Sequence, residues 1–276
     1  MLIDTHCHIH DRDTYNFAIS RQQAQGNEQT AADFIPEKII DRAHAADVEK
    51  MVCVGCTHED SLLARDFAAA HDNVFWSYGI HPEECDRKTD ACFFVGGEEP
   101  ADVPHEKNVP GRPIAIGEVG LDYHSEGYNR GKQIKLLEQM LELATKNDLP
   151  LIFHVRTSAA FADFWPIVDN MHIKNAVVHS FSDTSKNLEL TLDHDFYVGV
   201  NGMATFMNLY PSGLPPLERI LLETDAPFLT PVPFHSQVNE PAHIKDIATW
   251  LARKTNKTID EIATQTTKNA EKLFSI

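Results

Sequence analysis

Long apolar runs are missing from this chain. None approaches the ~20 residues that a membrane-spanning helix needs, and Asp4 and His6 interrupt the apolar start before a leader could form. Cysteine is scarce: five in 276 residues, scattered and without a paired framework, which excludes a disulfide-stapled secreted scaffold. The one close pair, in Cys53-Val54-Gly55-Cys56, has the spacing of half a zinc site, but no second half follows. It reads as two small residues at a buried strand end. Free thiols and the missing leader make the cytoplasm the default location. Basic residues are few as well: 24 against 41 acids, for a net charge of −17. A field of that sign repels polyanions at long range, which excludes a protein coating duplex DNA through many phosphate contacts. It leaves room for an enzyme that grips one or two phosphates through metal ions. No internal repeat, linker or low-complexity tract appears, and 42% hydrophobic content suits a single domain over residues 1–276.

Eight short apolar runs read as strands: residues 1–5, 50–54, 74–79, 113–117, 149–153, 175–178, 196–200 and 219–223. Their apolarity is continuous rather than alternating, as in parallel strands buried on both faces. Helical patterns separate most of them, at 36–47, 60–71, 129–147, 158–171 and 184–193, and two more close the chain at 241–254 and 258–274. The last opens with the capping pair Thr258 and Glu261. The alternation predicts a (β/α)8 TIM barrel. An open doubly wound sheet is the alternative, but it gathers ligands at one crevice. Two polar segments, 11–33 and 83–112, read equally as a lid or substrate wall and as plain solvated loop.

The chemistry sits where the apolar runs stop. His6 and His8 alternate on an extended segment, so both face one side while Cys7 faces the other. Glu118, His154, His179 and Asp225 each follow another run. Strand ends on one face of a barrel converge in space, and imidazoles with carboxylates favour a divalent cation. Two ions are expected, with Glu118 bridging, His6, His8 and Asp225 on the first and His154 and His179 on the second. At a spacing of about 3.5–4 Å, such ions stabilise the attacking and leaving oxygens of a phosphodiester displacement. Zinc, manganese and magnesium all remain open. Glu118 and Asp225 are the candidate catalytic groups, with Asp225 placed to take a proton from the attacking water. The bland readings are a helix cap for Asp225 and for His179, and an internal ion pair for Glu118. His81 in Gly79-Ile80-His81-Pro82 and Arg156, two past His154, are candidate substrate contacts. Asp4 and Glu223 are candidate supports for the ligands. The other ten of the 15 histidines read as surface or loop positions, with His124 alone kept in view.

These residues, in this order, resemble the TatD family of metal-dependent DNases. The resemblance spans almost the whole chain: DTHCH at 4–8, GIHP at 79–82, AIGEVGLDY at 115–123, LPLIFHVR at 149–156, HSFSD at 179–183, LLETDAP at 221–227, NEP at 239–241 and the closing 269–274. It implies a TIM barrel of the metal-dependent hydrolase type and divalent-metal hydrolysis of phosphodiesters, commonly of DNA shortened from an end, with DNA that is single-stranded or at ends as the substrate. It also implies ligand roles for His6, His8, Glu118, His154, His179 and Asp225. The chain departs from the family pattern at Asp183, where Gly is usual, and at 206–210, which lacks a basic residue often found there. An added carboxylate near the mouth disfavours a phosphate. The rivals are a metal-dependent amide or ester hydrolase, aminoacyl esters on RNA included, and a non-catalytic binding module, against which the intact ligand set argues. No obligate protein partner and no membrane contact are expected.

Overall fold

The computed structural model describes residues 1–86 and 111–276. Eight parallel strands follow one another in sequence order around a barrel: β1 (Leu2–Cys7), β2 (Val48–Val54), β3 (Val74–Tyr78), β4 (Ala115–Asp122), β5 (Leu151–Arg156), β6 (Ala176–Val178), β7 (Tyr197–Val200) and β8 (Ile220–Leu222). The seam between first and last strand is closed just past β8. There the Asp225 amide donates to the His6 carbonyl and the His8 amide to the Ala226 carbonyl, both at 2.8 Å. The described helices are α1 (Arg12–Gln23), α2 (Pro36–Ala45), α3 (His58–Ala70), α4 (Arg130–Asn147), α5 (Ser158–Met171), α6 (Ser185–Asp193), α7 (Ile244–Thr255) and α8 (Ile259–Phe274). The architecture is the expected (β/α)8 barrel. None of these helices is long and apolar enough to cross a membrane.

Each strand feeds two cores, because successive side chains point to opposite faces. Outward residues such as Met51, Leu121, Leu151, Phe153 and Val198 pack under the helices. Inward residues Ile3, Val52, Val54, Ala115, Ile152, Val177 and Leu221 fill the barrel, and Ala270, Leu273 and Phe274 of α8 join them. The C-terminal helix is thus the floor of the barrel. Its start carries the expected capping box, Thr258 with Glu261.

Three expectations are corrected. The polar segment 11–33 is not a structureless loop: it forms α1 and a 3-10 turn at Ala31–Asp33. Asp11 caps α1 by accepting from the amides of Asp13 and Thr14, and Tyr15, Ala18 and Ile19 supply its buried face. So few apolar residues among glutamines and aspartates hid the helical period. Asn27 and Gln29 then tie the segment to the loop after β8, through the Ser236 carbonyl and the Val238 amide. In the second place, β4 and β5 run past their apolar stretches, so Glu118 and His154 lie within strands rather than beyond them. Lastly, His10 is no surface histidine: it is buried against Asp60, with Nε2 2.9 Å from Oδ1. Of the second polar segment, residues 87–110 lie outside the described residues.

Truncating the floor is expected to be costly. Phe274→Ala removes a buried ring where α8 meets the barrel interior and should lower stability by about 3–5 kcal/mol, read as a drop in the urea midpoint followed by circular dichroism. An unchanged midpoint would show that α8 does not seal the barrel.

Candidate metal centre

The site begins at the seam. Asp4 on β1 is fully buried, and its carboxylate accepts from the Thr224 amide (2.9 Å), the Thr224 hydroxyl (2.5 Å) and the His6 amide (3.3 Å). Burial pushes its pKa up to about 8, against the pull of these hydrogen bonds. This clamp locks the β1 end to the residues after β8 and sets His6, His8 and Asp225 side by side. His6 Nε2 lies 3.6 Å and His8 Nε2 3.5 Å from Asp225 Oδ1. His6 Nε2 also lies 3.4 Å from Glu118 Oε2. His8 Nδ1 stands 3.0 Å from the Val54 carbonyl. A carbonyl only accepts, so Nδ1 carries a proton and Nε2 is the nitrogen turned to Asp225. Cys7 points away, toward the Val52 carbonyl.

Glu118 reaches the same point because β4 is irregular. Its pairing with β5 shifts between Ile116 and Val119, which changes the inward phase so that Glu118 and Asp122 both face the interior. Glycine permits the tight fit: a Cβ at Gly120 would stand 1.8 Å from the His154 carbonyl oxygen, and one at Gly79 2.2 Å from the Gly117 carbonyl carbon. Glu118 Oε1 is 2.7 Å from both His154 Nδ1 and His179 Nε2, and those two nitrogens are 3.2 Å apart. His154 Nε2 sits 2.9 Å from Asp122 Oδ2.

The two halves therefore differ. Around His6 and His8 the nitrogen–oxygen separations of 3.4–3.6 Å are too long for hydrogen bonds. They match the spacing of donors around one tetrahedral cation with bonds of ~2.0–2.2 Å. Neither ring nitrogen of the fully buried His6 has a hydrogen-bond partner, an expensive arrangement unless something else takes the lone pair. The residues fit a divalent ion there. Around Glu118 Oε1 the contacts are hydrogen bonds, and the His154–His179 pair shares one carboxylate oxygen.

The electrostatics follow. Burial pushes the Glu118 carboxyl up, but His179, His6 and the bonds from His154 and His179 outweigh it and hold it well below the usual range. Asp225 is likewise lowered, with burial opposed by the neighbouring His8, His6 and His179. Burial and the neighbouring His179 hold His6 below its ordinary value, so it stays a neutral imidazole, the form that can ligate. His154 is raised: burial opposes, but Asp122 and Glu118 prevail.

The two helix-cap readings find no support, whereas Glu118 does pair with imidazoles inside the site, those of His154 and His179. No helix starts at Asp225, whose side chain faces His6 and His8, and α6 is capped by Thr184 rather than His179. His81 lies at the same mouth, Nε2 3.8 Å from Glu118 Oε1 and its ring 4.4 Å from that of His154. Its Nδ1 accepts from the Glu83 amide, so the neutral ring carries its proton on Nε2, toward the site. Arg156 is half exposed at the rim, 3.8 Å from Asp122. Glu223 accepts from the Ser180 amide at 2.6 Å and stands 3.6 Å from His179 Nδ1. Asp183 is spent on local bonds from Ser158, Asn187 and the Thr184 amide. His124 is exposed and takes no part. Two neighbours escaped the sequence reading. Asp122 is four past Glu118 on one strand, an even spacing that puts both on one face. Cys56 Sγ lies 3.7 Å from Glu118 Oε2, on the inward phase of Val52 and Val54.

Known proteins are similar to this chain over most or all of its length. A hydrolase of Bacillus subtilis, YabD, described as an uncharacterized metal-dependent hydrolase, is 32% identical over all of both chains. The 3'-5' ssDNA/RNA exonuclease TatD of Pantoea ananatis is 30% identical, covering 87% of this chain and 93% of its own. The crystal structure of YJJV, a TatD homolog from Escherichia coli, superposes with a TM-score of 0.78 at 24% identity, over 100% of this chain and 98% of that one, and shows the shared fold. The model of TatD related DNases matches residues 3–275. On that match and the full-length relative, the chain belongs to the TatD related DNase family.

Proposed function

We propose that the protein is a divalent-metal-dependent deoxyribonuclease that removes nucleotides from nucleic-acid ends, single strands above all. The observation that carries this reading is the unpaired, fully buried His6, spaced for coordination from two carboxylates. His6, His8 and Asp225 with Glu118 Oε2 would hold one ion, and Glu118 Oε1, His154 and His179 a second. Zinc, manganese and magnesium are the candidates. Divalent cations at such a site polarise phosphoryl oxygens and make a bound water more acidic.

The chain's own groups do the rest. Asp225, kept ionised by its imidazole neighbours, accepts the proton of the attacking water. Asp122 holds His154 by Nε2, so that Nδ1 is the nitrogen turned to Glu118. Burial lowers the His81 pKa to about 3. The ring therefore acts as a neutral Nε2–H donor to a phosphoryl oxygen, not as a proton source. Arg156, with its side chain 51% exposed, can fork onto a second phosphate. The charge of −17 favours a terminus, where one or two phosphates suffice, over a long duplex track. Two relatives carry matching names, the Pantoea exonuclease and a Schizosaccharomyces pombe deoxyribonuclease Tat-D, 34% identical over 72% of this chain. They favour phosphodiesters over the amide or ester alternative. The described cysteines Cys7, Cys53, Cys56 and Cys85 are free, which supports a reducing, cytoplasmic setting for the one-domain chain.

With manganese or magnesium, the protein should shorten an end-labelled single strand stepwise. A chelator should abolish this, and Asp225→Asn should cut kcat by about 10²–10⁴-fold. An intact oligonucleotide alongside turnover of an ester or amide panel would sink the nuclease reading. Asp122→Asn should weaken metal affinity by roughly 10–100-fold with the fold preserved, measured by calorimetric titration of the metal-free protein. Unaltered affinity would mean that Asp122 does not orient His154.

A further inference from the structure

Cys56 is the second residue past β2. Its backbone is pinned on both sides: the amide donates to Asp60 Oδ2 at 2.7 Å and the carbonyl accepts from the His81 amide at 2.8 Å. Cys53 faces outward into the helix-side core, whereas Cys56 follows the inward phase of Val52 and Val54. The pair that looked like half a zinc finger is thus split between two faces, and only one thiol reaches the site. Its Sγ stands 3.7 Å from Glu118 Oε2 and 4.0 Å from His8 Nδ1. His8, Cys56 and Glu118 form one of the groups whose ligand atoms lie within 4.8 Å of one another.

A second observation points to the same place. His6 Nε2, buried and without a hydrogen-bond partner, is 3.4 Å from that same Glu118 oxygen. Glu118 Oε2 therefore has a waiting imidazole on one side and a thiol on another. Beside His6, His8, Asp225 and Glu118 Oε2, a Cys56 thiolate would be a fifth donor, a number that a zinc-class ion reaches when it expands from four. Bonds from such an ion to sulfur are longer than to nitrogen, ~2.3 against ~2.0–2.1 Å, and the separations from Glu118 Oε2, 3.4 Å to nitrogen and 3.7 Å to sulfur, follow that order.

We propose that Cys56 is a thiolate donor to the metal centre and biases it toward thiophilic divalent cations of the zinc class over magnesium. Soft sulfur discriminates between these ions where oxygen and nitrogen do so weakly. Coordination releases the thiol proton to solvent. The inference rests on the metal centre proposed above and adds to it the selectivity of that centre.

The test is a cobalt titration of the metal-free full-length protein, followed by absorption. The wild type should develop a sulfur-to-cobalt band in the near ultraviolet, and Cys56→Ser and Cys56→Thr should lack it while keeping the visible cobalt bands. Zinc affinity, measured against a chromophoric chelator, should fall about tenfold or more in Cys56→Ser, with magnesium affinity within about twofold of wild type. In the wild type itself, zinc should shield Cys56 from iodoacetamide, read by peptide mass spectrometry. This last measurement decides the matter if the variants do not fold. A visible cobalt spectrum without the near-ultraviolet band, a band that survives Cys56→Ser, or equal alkylation with and without zinc would overturn the thiolate while leaving the centre standing. Failure to take up cobalt, zinc or magnesium at all would overturn the centre, and the thiolate with it.

Discussion

The clamp between Asp4 and Thr224 is the contact on which the rest depends. It joins the first strand to the residues after the last, where the chain is separated by more than two hundred positions. A barrel of parallel strands has one seam that sequence neighbours cannot close, and here the closing groups are a buried carboxyl, a hydroxyl and two backbone amides. Burial of Asp4 is costly, and its shifted pKa reflects that cost. The return is positional: His6 and His8 on one side and Asp225 on the other come within 3.6 Å. Loosening the seam would misplace three candidate ligands at once, though the clamp uses none of their side chains and only the backbone amide of His6.

The inward phase of the strands extends this logic around the barrel. The side chains that fill the interior, Val52, Ile152, Val177 and Leu221, continue upward into Cys56, His154, His179 and Asp225 at even spacing. Packing layer and chemical layer are one column of residues, apolar below and polar above. His6 and His8 break this spacing from the inward Ile3, where β1 pairing shifts between Asp4 and Cys7, and Glu118 needs a device of its own. The shift in β4 pairing between Ile116 and Val119 brings it onto the inner face, and glycines at 79 and 120 let neighbouring strands close in around it.

Much of this was legible in the sequence. Eight apolar runs, five of them leading to His6, Glu118, His154, His179 or Asp225, predict a barrel with polar groups at one end, because parallel strands align their C-terminal ends. What stayed hidden has physical reasons. β4 and β5 outlast their apolar stretches, since strand pairing continues through Glu118 and His154. The helix over Arg12–Gln23 buries only Tyr15, Ala18 and Ile19, too thin a stripe for its period to show. Asp122 and Cys56 bear no motif of their own; only alternation along the strand gives their direction. The partnership of His154 with Asp122 on one nitrogen and Glu118 on the other is a matter of ring orientation, which spacing does not encode.

The floor built by α8 has a consequence for traffic. Leu273 and Phe274 sit with the residues that fill the barrel, so the chamber is a cul-de-sac rather than a tunnel. A polymer cannot be threaded through it from one side to the other. Whatever terminus enters must leave by the same doorway, and each released unit has to depart past the chain it was cut from. On the proposed function, ejection and re-seating would alternate at the one mouth that the described residues form, which suits nibbling one unit at a time rather than long uninterrupted runs.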